Sequence, residues 1–191
     1  MPKDTQQKTS PETSPHPGMG FAQFVALIAA MMPTNALAID SMLPALPQIS
    51  QSLGLTADNQ RQWVITAYLL GFGAAQIAYG SLADRYGRKP VLLVGLVLYV
   101  IFSIACALTT SFEMLLAARA LTGVGAAATR VLSVSIVRDC YSGRRMAQVM
   151  SLSFIVFLAV PILAPSIGQA IVLVAPWRWI FGVMALSLIH I

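Results

Sequence analysis

The chain has 191 residues, of which 57% are hydrophobic and only 10% charged, with a formal net charge of +5 at pH 7. Its mean hydropathy is +0.75. A water-soluble domain covers its surface with about a quarter of its residues charged, so that class is excluded and an all-α polytopic membrane protein is predicted. The basic excess does not point to nucleic acid, because the lysines and arginines fall mostly in short stretches flanking apolar runs, where they orient a chain in a bilayer.

Residues 1–20 are polar, rich in Pro, Ser and Thr, and carry Lys3, Lys8 and His16, the composition of a disordered tail. Six apolar runs follow, at 21–43, 62–82, 91–108, 114–137, 147–174 and from 179 onward. A bilayer-spanning helix needs about 20 apolar residues, so residues 21–191 read as one transmembrane bundle of about six spans. The first run also fits a cleaved secretory leader, with Ala36-Leu37-Ala38 as the cleavage triplet. The five further runs, and the polar Asn35 and Asp40 in or beside the first, favour a retained helix. Eight Lys and Arg residues flank the runs on one side and two, Arg61 and Arg178, on the other. That imbalance predicts a cytoplasmic N-terminus. The sixth run stops after about a dozen residues, and residues 186–191, LSLIHI, have the look of a translated library adaptor. An N-terminal fragment of a longer protein is therefore expected.

Several polar residues stand out against this apolar background. Between the second and third runs lies GSLADRYGRK, residues 80–89, which predicts a short basic hairpin with Asp84 and Arg85 in a polar turn and the small Gly80 and Gly87 at its shoulders. Arg88 is expected to pair with Asp139 on the same membrane face and so latch that side. Arg119 and Arg130 sit inside the fourth run. Each costs about 2.5–3.5 kcal/mol on insertion scales, and their eleven-residue spacing, three helical turns, predicts one polar stripe shared with Gly123. Asp40 is expected at a depth close to that of Arg119, as a protonatable group whose ionised form an arginine restores. Pro161 and Pro165, followed by Gly168, predict a bent fifth helix that another helix approaches closely, suited to a gate. Asn35, Tyr68, Gln76 and Gln169 are candidate cavity residues, with helix-to-helix hydrogen bonding as the alternative role. Cys106 and Cys140 lack metal-ligand spacing and are not expected to pair, and no metal site is predicted.

Four segments resemble the major facilitator superfamily: AIDSMLPALP at 38–47, GSLADRYGRK at 80–89, RALTGVGAAATRVLSVSIVRD at 119–139, and PILAPSIG at 161–168 followed by WRWIF at 177–181. The second matches the superfamily's loop signature G-x-x-x-D-R-x-G-R-K/R. The first and third resemble the Bcr/CflA group of drug–proton antiporters. The fifth run keeps only the proline and final glycine of the more glycine-rich antiporter pattern. The resemblance implies twelve helices in two six-helix halves, with alternating access and export of hydrophobic or cationic compounds against proton entry. It links the residue at Arg119 to proton coupling, that at Asp40 to proton or substrate binding, and those at Asp84, Arg88 and Asp139 to conformational control.

The implied partners are a small-molecule substrate, protons, the lipid bilayer and a missing C-terminal half, with no nucleic acid. No cofactor is implied beyond the proton gradient, and the implied location is the bacterial inner membrane. A metabolite importer of the same fold is the alternative. A non-transporting integral membrane protein or enzyme stands behind it, since the chain lacks HExxH, GxSxG and paired-histidine patterns.

Overall fold

The computed structural model describes residues 19–55 and 59–189. The predicted tail through residue 18, the short segment 56–58 and the last two residues lie outside the described residues. Among the described residues eight α-helices follow one another: α1 (Phe21–Met31), α2 (Thr34–Asp40), α3 (Leu46–Ser52), α4 (Trp63–Tyr86), α5 (Arg88–Leu108), α6 (Phe112–Cys140), α7 (Gly143–Val174) and α8 (Arg178–Ile189). Five helical stretches reach membrane-spanning length: Phe21–Ser52, Gln60–Tyr86, Arg88–Leu108, Phe112–Cys140 and Gly143–Val174. The sixth predicted run forms only the 12-residue α8, about 18 Å at 1.5 Å per residue and short of a full span.

The first span departs most from expectation. It does not end at Leu43 but continues to Ser52, broken twice on the way. Proline explains both breaks, since it lacks the N–H that continues a helical ladder. Pro33 separates α1 from α2, and the Thr34 hydroxyl bonds back to the Ala30 carbonyl at 3.5 Å. Pro44 sits in a single 3₁₀ turn, Leu43–Ala45, and the Ser41 hydroxyl donates to the Leu37 carbonyl at 2.6 Å. The predicted polar turn at Asp84 and Arg85 is also shorter than expected. Both residues belong to α4, and Gly87 alone, at φ +86°, joins α4 to α5. Only glycine takes that conformation at little cost.

The bundle is organised around α6, whose inner residues are small. A Cβ on Gly123 would stand 2.1 Å from the Tyr68 carbonyl oxygen of α4, and one on Gly125 would stand 2.5 Å from the Tyr99 nitrogen of α5. The facing glycines answer them: a Cβ on Gly71 would meet the Ala120 oxygen at 1.9 Å, and one on Gly95 the Ala128 Cβ at 2.2 Å. Backbones therefore touch on both flanks of α6, where dispersion and packing replace the hydrophobic effect that lipid cannot supply. The hydroxyls of Thr122, Thr129 and Ser133 return to carbonyls of their own helix, at Ala118, Ala126 and Thr129. The α1 and α2 helices pack against α7 and α6, and α8 closes against α5. Large apolar side chains such as Leu70, Ile77, Leu158 and Val174 point outward, as a lipid-facing surface requires.

Gly80 does not serve as a close-packing shoulder: nothing lies within 4 Å of where its Cβ would stand. The reason is that α4 and α5 each pack on α6 rather than on each other. An apolar groove of about 690 Å³ opens between them, lined by residues such as Ala78, Tyr79, Leu82 and Val94.

These contacts predict that Gly123→Ala destabilises the bundle by about 1–3 kcal/mol, the usual cost of overpacking. Gly80→Ala is expected to be neutral or slightly stabilising. Thermal unfolding of the two variants in detergent micelles checks the difference.

Candidate functional site

Arg119 lies at the crossing of four helices. Its side chain is 0% exposed, which for a guanidinium demands nearby acceptors. One Nη2 hydrogen is donated to the carbonyl oxygen of Ala38 at 3.1 Å. The guanidinium carbon stands 4.5 Å from the Tyr68 ring centroid on α4 and 5.6 Å from that of Phe181 on α8. Both are cation–π distances.

The local backbone explains why Ala38 offers its oxygen. In a continuing α-helix the Met42 N–H would reach it, but the turn before Pro44 sends that N–H to Ile39 at 3.2 Å. A helix-end carbonyl, at the negative end of the helix dipole, is thus left for the arginine. One carbonyl does not satisfy five N–H donors. Nε and Nη1 of Arg119 are buried without a hydrogen-bond partner among the described residues.

Asp40 is two residues from that carbonyl and half-buried. Among the described residues it makes no ion pair, and Arg119 holds the backbone rather than the carboxylate. The expected Asp40–Arg119 partnership is therefore a neighbourhood without a bond in this conformation. Two cavity candidates do meet: the Tyr68 hydroxyl donates to Asn35 Oδ1 at 2.9 Å. Tyr68 thus gives its ring face to Arg119 and its hydroxyl to the first span. Gln76 is half-buried on α4, away from this contact, and Gln169 is exposed on α7, in a groove with Leu43, Pro44 and Pro165.

The single polar stripe expected on α6 is divided in two. Arg130 is half-buried, and its guanidinium lies 5.5 Å from the Phe157 ring of α7. The two arginines share a side of α6 but meet different neighbours, because α8 and the break in the first span close over Arg119 alone. Helix α7 runs without interruption through Pro161 and Pro165. Its closest approach is at Gly168, where a Cβ would stand 1.9 Å from the Ser41 oxygen. The glycine of α7 therefore seats on the second break of the first span.

At the basic end of the bundle, Arg88 Nε donates to Asp139 Oδ2 at 2.5 Å, with side chains 31% and 49% exposed. Pairs this open contribute about 0–1 kcal/mol. Arg85 lies 5.3 Å from the Tyr86 ring, and Asp84 is exposed. The opposite end is fastened by Arg178, whose Nη2 donates to the Thr109 carbonyl at 2.8 Å, and by Trp177, whose Nε1 donates to Ser52 Oγ at 2.9 Å. These last contacts, the Ala38 carbonyl and Phe181 were not legible beforehand. The signal for the carbonyl was Pro44, ahead of which the chain tightens into a turn that sends the Met42 N–H to Ile39 instead of Ala38.

The profile of the Major Facilitator Superfamily matches residues 19–190. Multidrug resistance protein MdtL of Klebsiella pneumoniae (strain 342) is 38% identical over 146 residues, 76% of this chain and 37% of its own length. MdtL of Escherichia coli (strain K12 / DH10B) is 38% identical over 148 residues, 78% of this chain and 38% of its own. The crystal structure of the human organic anion transporter MFSD10 (TETRAN) superposes with a TM-score of 0.64 at 21% identity, over 91% of this chain and 47% of that one; this likeness concerns the fold alone. The chain spans about two-fifths of the length of the curated relatives it matches.

The unmatched donors predict an unusual stability response. Replacing Arg119 with Met, of similar reach and no charge, is expected to leave the unfolding midpoint unchanged or to raise stability by about 1–4 kcal/mol, as when other buried charges are exchanged for apolar groups. Chemical unfolding of the purified variant in micelles measures this. A loss of several kcal/mol contradicts it.

Proposed function

Because the chain belongs to the Major Facilitator Superfamily, we propose that it forms the N-terminal bundle of a secondary transporter that exports drug-like compounds by alternating access, driven by proton entry. The export direction is supported by the relatives, which carry the name multidrug resistance protein. The match to only 37–38% of their length supports a second bundle completing the cavity. The eight-to-two distribution of flanking cations supports a cytoplasmic basic end, and the bacterial origin of the relatives supports residence in a bacterial inner membrane.

The observation that carries the mechanism is the sealed Arg119, bonded to a carbonyl two residues from Asp40. An ionised Asp40 competes with the Ala38 carbonyl for the guanidinium, and an ion pair charged on both sides, with two oxygens to accept, outweighs a bond to one uncharged carbonyl. A protonated Asp40 loses that advantage, and Arg119 returns to the carbonyl. Proton occupancy thus selects between two seats of one arginine. Each seat pulls differently on the hinged first span, which supplies the two-state element that coupling requires. In the same cycle the Arg88–Asp139 pair holds the basic ends of α5 and α6 together in one state and parts in the other, with Asp84, Arg85 and the Gly87 turn as its setting. Gly168 of α7, against the break at Ser41, carries the first span's movement to the helix bearing Pro161 and Pro165.

Expression of the full reading frame in a bacterium stripped of its own exporters tests the function. Reduced accumulation of a fluorescent dye, abolished by a protonophore, is expected. Asp40→Asn is expected to abolish the proton-driven component at normal expression. Dye efflux unchanged by Asp40→Asn removes Asp40 from the mechanism, and enhanced nutrient uptake without efflux favours an importer.

A further inference from the structure

Arg130 is a second intramembrane cation, and its surroundings differ from those of Arg119. It stands eleven residues along α6, about 16 Å away at 1.5 Å per residue, and faces α7 rather than the break in the first span. Its guanidinium lies 5.5 Å from the Phe157 ring, and its Nη1 is buried without a hydrogen-bond partner. The face of α7 that meets it is defined by its packing: Val149, buried, and Phe157 join one apolar cluster with Phe24 and Ile28 of α1 and with Val134 and Val137 of α6. Ser153 falls midway between Val149 and Phe157 at four-residue spacing, on that same face. Its side chain is 0% exposed, and its hydroxyl has no hydrogen-bond partner among the described residues. Two buried donor groups without acceptors, on facing helices and beside an aromatic ring, form a site that lacks its acceptor.

The described chain does not supply that acceptor. Asp139, nine residues further along α6, is taken by Arg88. Asp40 makes no ion pair among the described residues, Asp84 is exposed in the last turn of α4, and Glu113 lies in the first turn of α6, seventeen residues before Arg130. A guanidinium presents parallel donors that match the two oxygens of a carboxylate. The ring beside it offers an apolar face to whatever carries that carboxylate.

We propose that Arg130, with Ser153 and Phe157, is a substrate subsite for organic carboxylates: the guanidinium and the hydroxyl bind the anionic group, and Phe157 packs against its aromatic or aliphatic body. This deepens the exporter reading and rests on it for the direction of transport. It also adds anionic amphiphiles to the apolar and cationic compounds that the sequence resemblance implies. The subsite itself is a matter of binding and is testable without transport.

The probes are pyrenebutyrate, a fluorescent aromatic carboxylate, and its neutral amide, titrated onto the purified full-length protein in micelles. The wild-type protein is expected to bind the carboxylate at least about tenfold more tightly than the amide, the size of a hydrogen-bonded charge contact. Arg130→Gln brings that ratio to about one. Arg130→Lys, which keeps the charge and loses the fork, retains part of it, and Ser153→Ala lowers it by about two- to tenfold. Equal wild-type affinities for the two probes, or a preference that survives Arg130→Gln in a protein that still elutes as a monodisperse species, overturn the subsite. Dye efflux in cells separates the two readings. Efflux without carboxylate preference sinks the subsite alone, whereas Arg130-dependent preference without efflux sustains the subsite and sinks the exporter.

Discussion

A positive charge sealed in a bundle built for hydrocarbon must find acceptors within reach, and the arrangement around Arg119 follows from that need. The first span is broken by Pro33 and wound into a 3₁₀ turn before Pro44. The break strands the Ala38 carbonyl, and Arg119 takes it. Tyr68 and Phe181 lay their ring faces against the cation, and Tyr68 ties the same span again through Asn35. A continuous first helix would have kept its carbonyls to itself and left the guanidinium with rings alone.

The rest of the bundle holds that crossing in place. Glycine and alanine on α6 bring α4 and α5 to backbone contact, so the helix carrying Arg119 has little freedom to turn. Gly168 seats α7 on Ser41, at the second break. Polar fasteners sit at both ends, Arg88 with Asp139 at one and Arg178 and Trp177 at the other. The rigid part of the molecule is therefore α4, α5 and α6. The jointed part is the first span, broken at Pro33 and again before Pro44, with α7 seated on its second break. The proposed transport cycle uses that division, because interfaces that switch do so between packed alternatives rather than by continuous deformation.

Much of this was legible in the residues. Hydropathy predicted about six spans, of which five reach spanning length among the described residues, and the pairing of Arg88 with Asp139 followed from two basic loops expected on one membrane face. The arginines of α6 stood out because insertion cost makes any such residue exceptional. What was hidden depended on backbone and on distant packing. The Ala38 carbonyl has no residue signature, since every residue has one and only its neighbours' hydrogen bonds decide whether it is free. The separation of Arg119 from Arg130 depends on which helices cover each, and periodicity along α6 carries no word of α8. Gly80 looked like a contact residue because it sat in a hairpin motif, yet α4 and α5 diverge and its Cβ would meet open space. The turn itself shrank to Gly87, since both helices gain a hydrogen-bonded turn by running to its edge.

The bond between the Arg119 guanidinium and the Ala38 carbonyl is open to direct measurement. Solid-state NMR dipolar recoupling on the membrane-embedded protein, with ¹³C-carbonyl alanine and ¹⁵N-guanidino arginine, reads carbon-to-nitrogen separations. The account predicts a dephasing component at about 4 Å, the carbonyl carbon lying about 1.2 Å beyond its oxygen, that disappears in Arg119→Met. A spectrum unchanged by that substitution, with no pair shorter than about 6 Å lost, contradicts it.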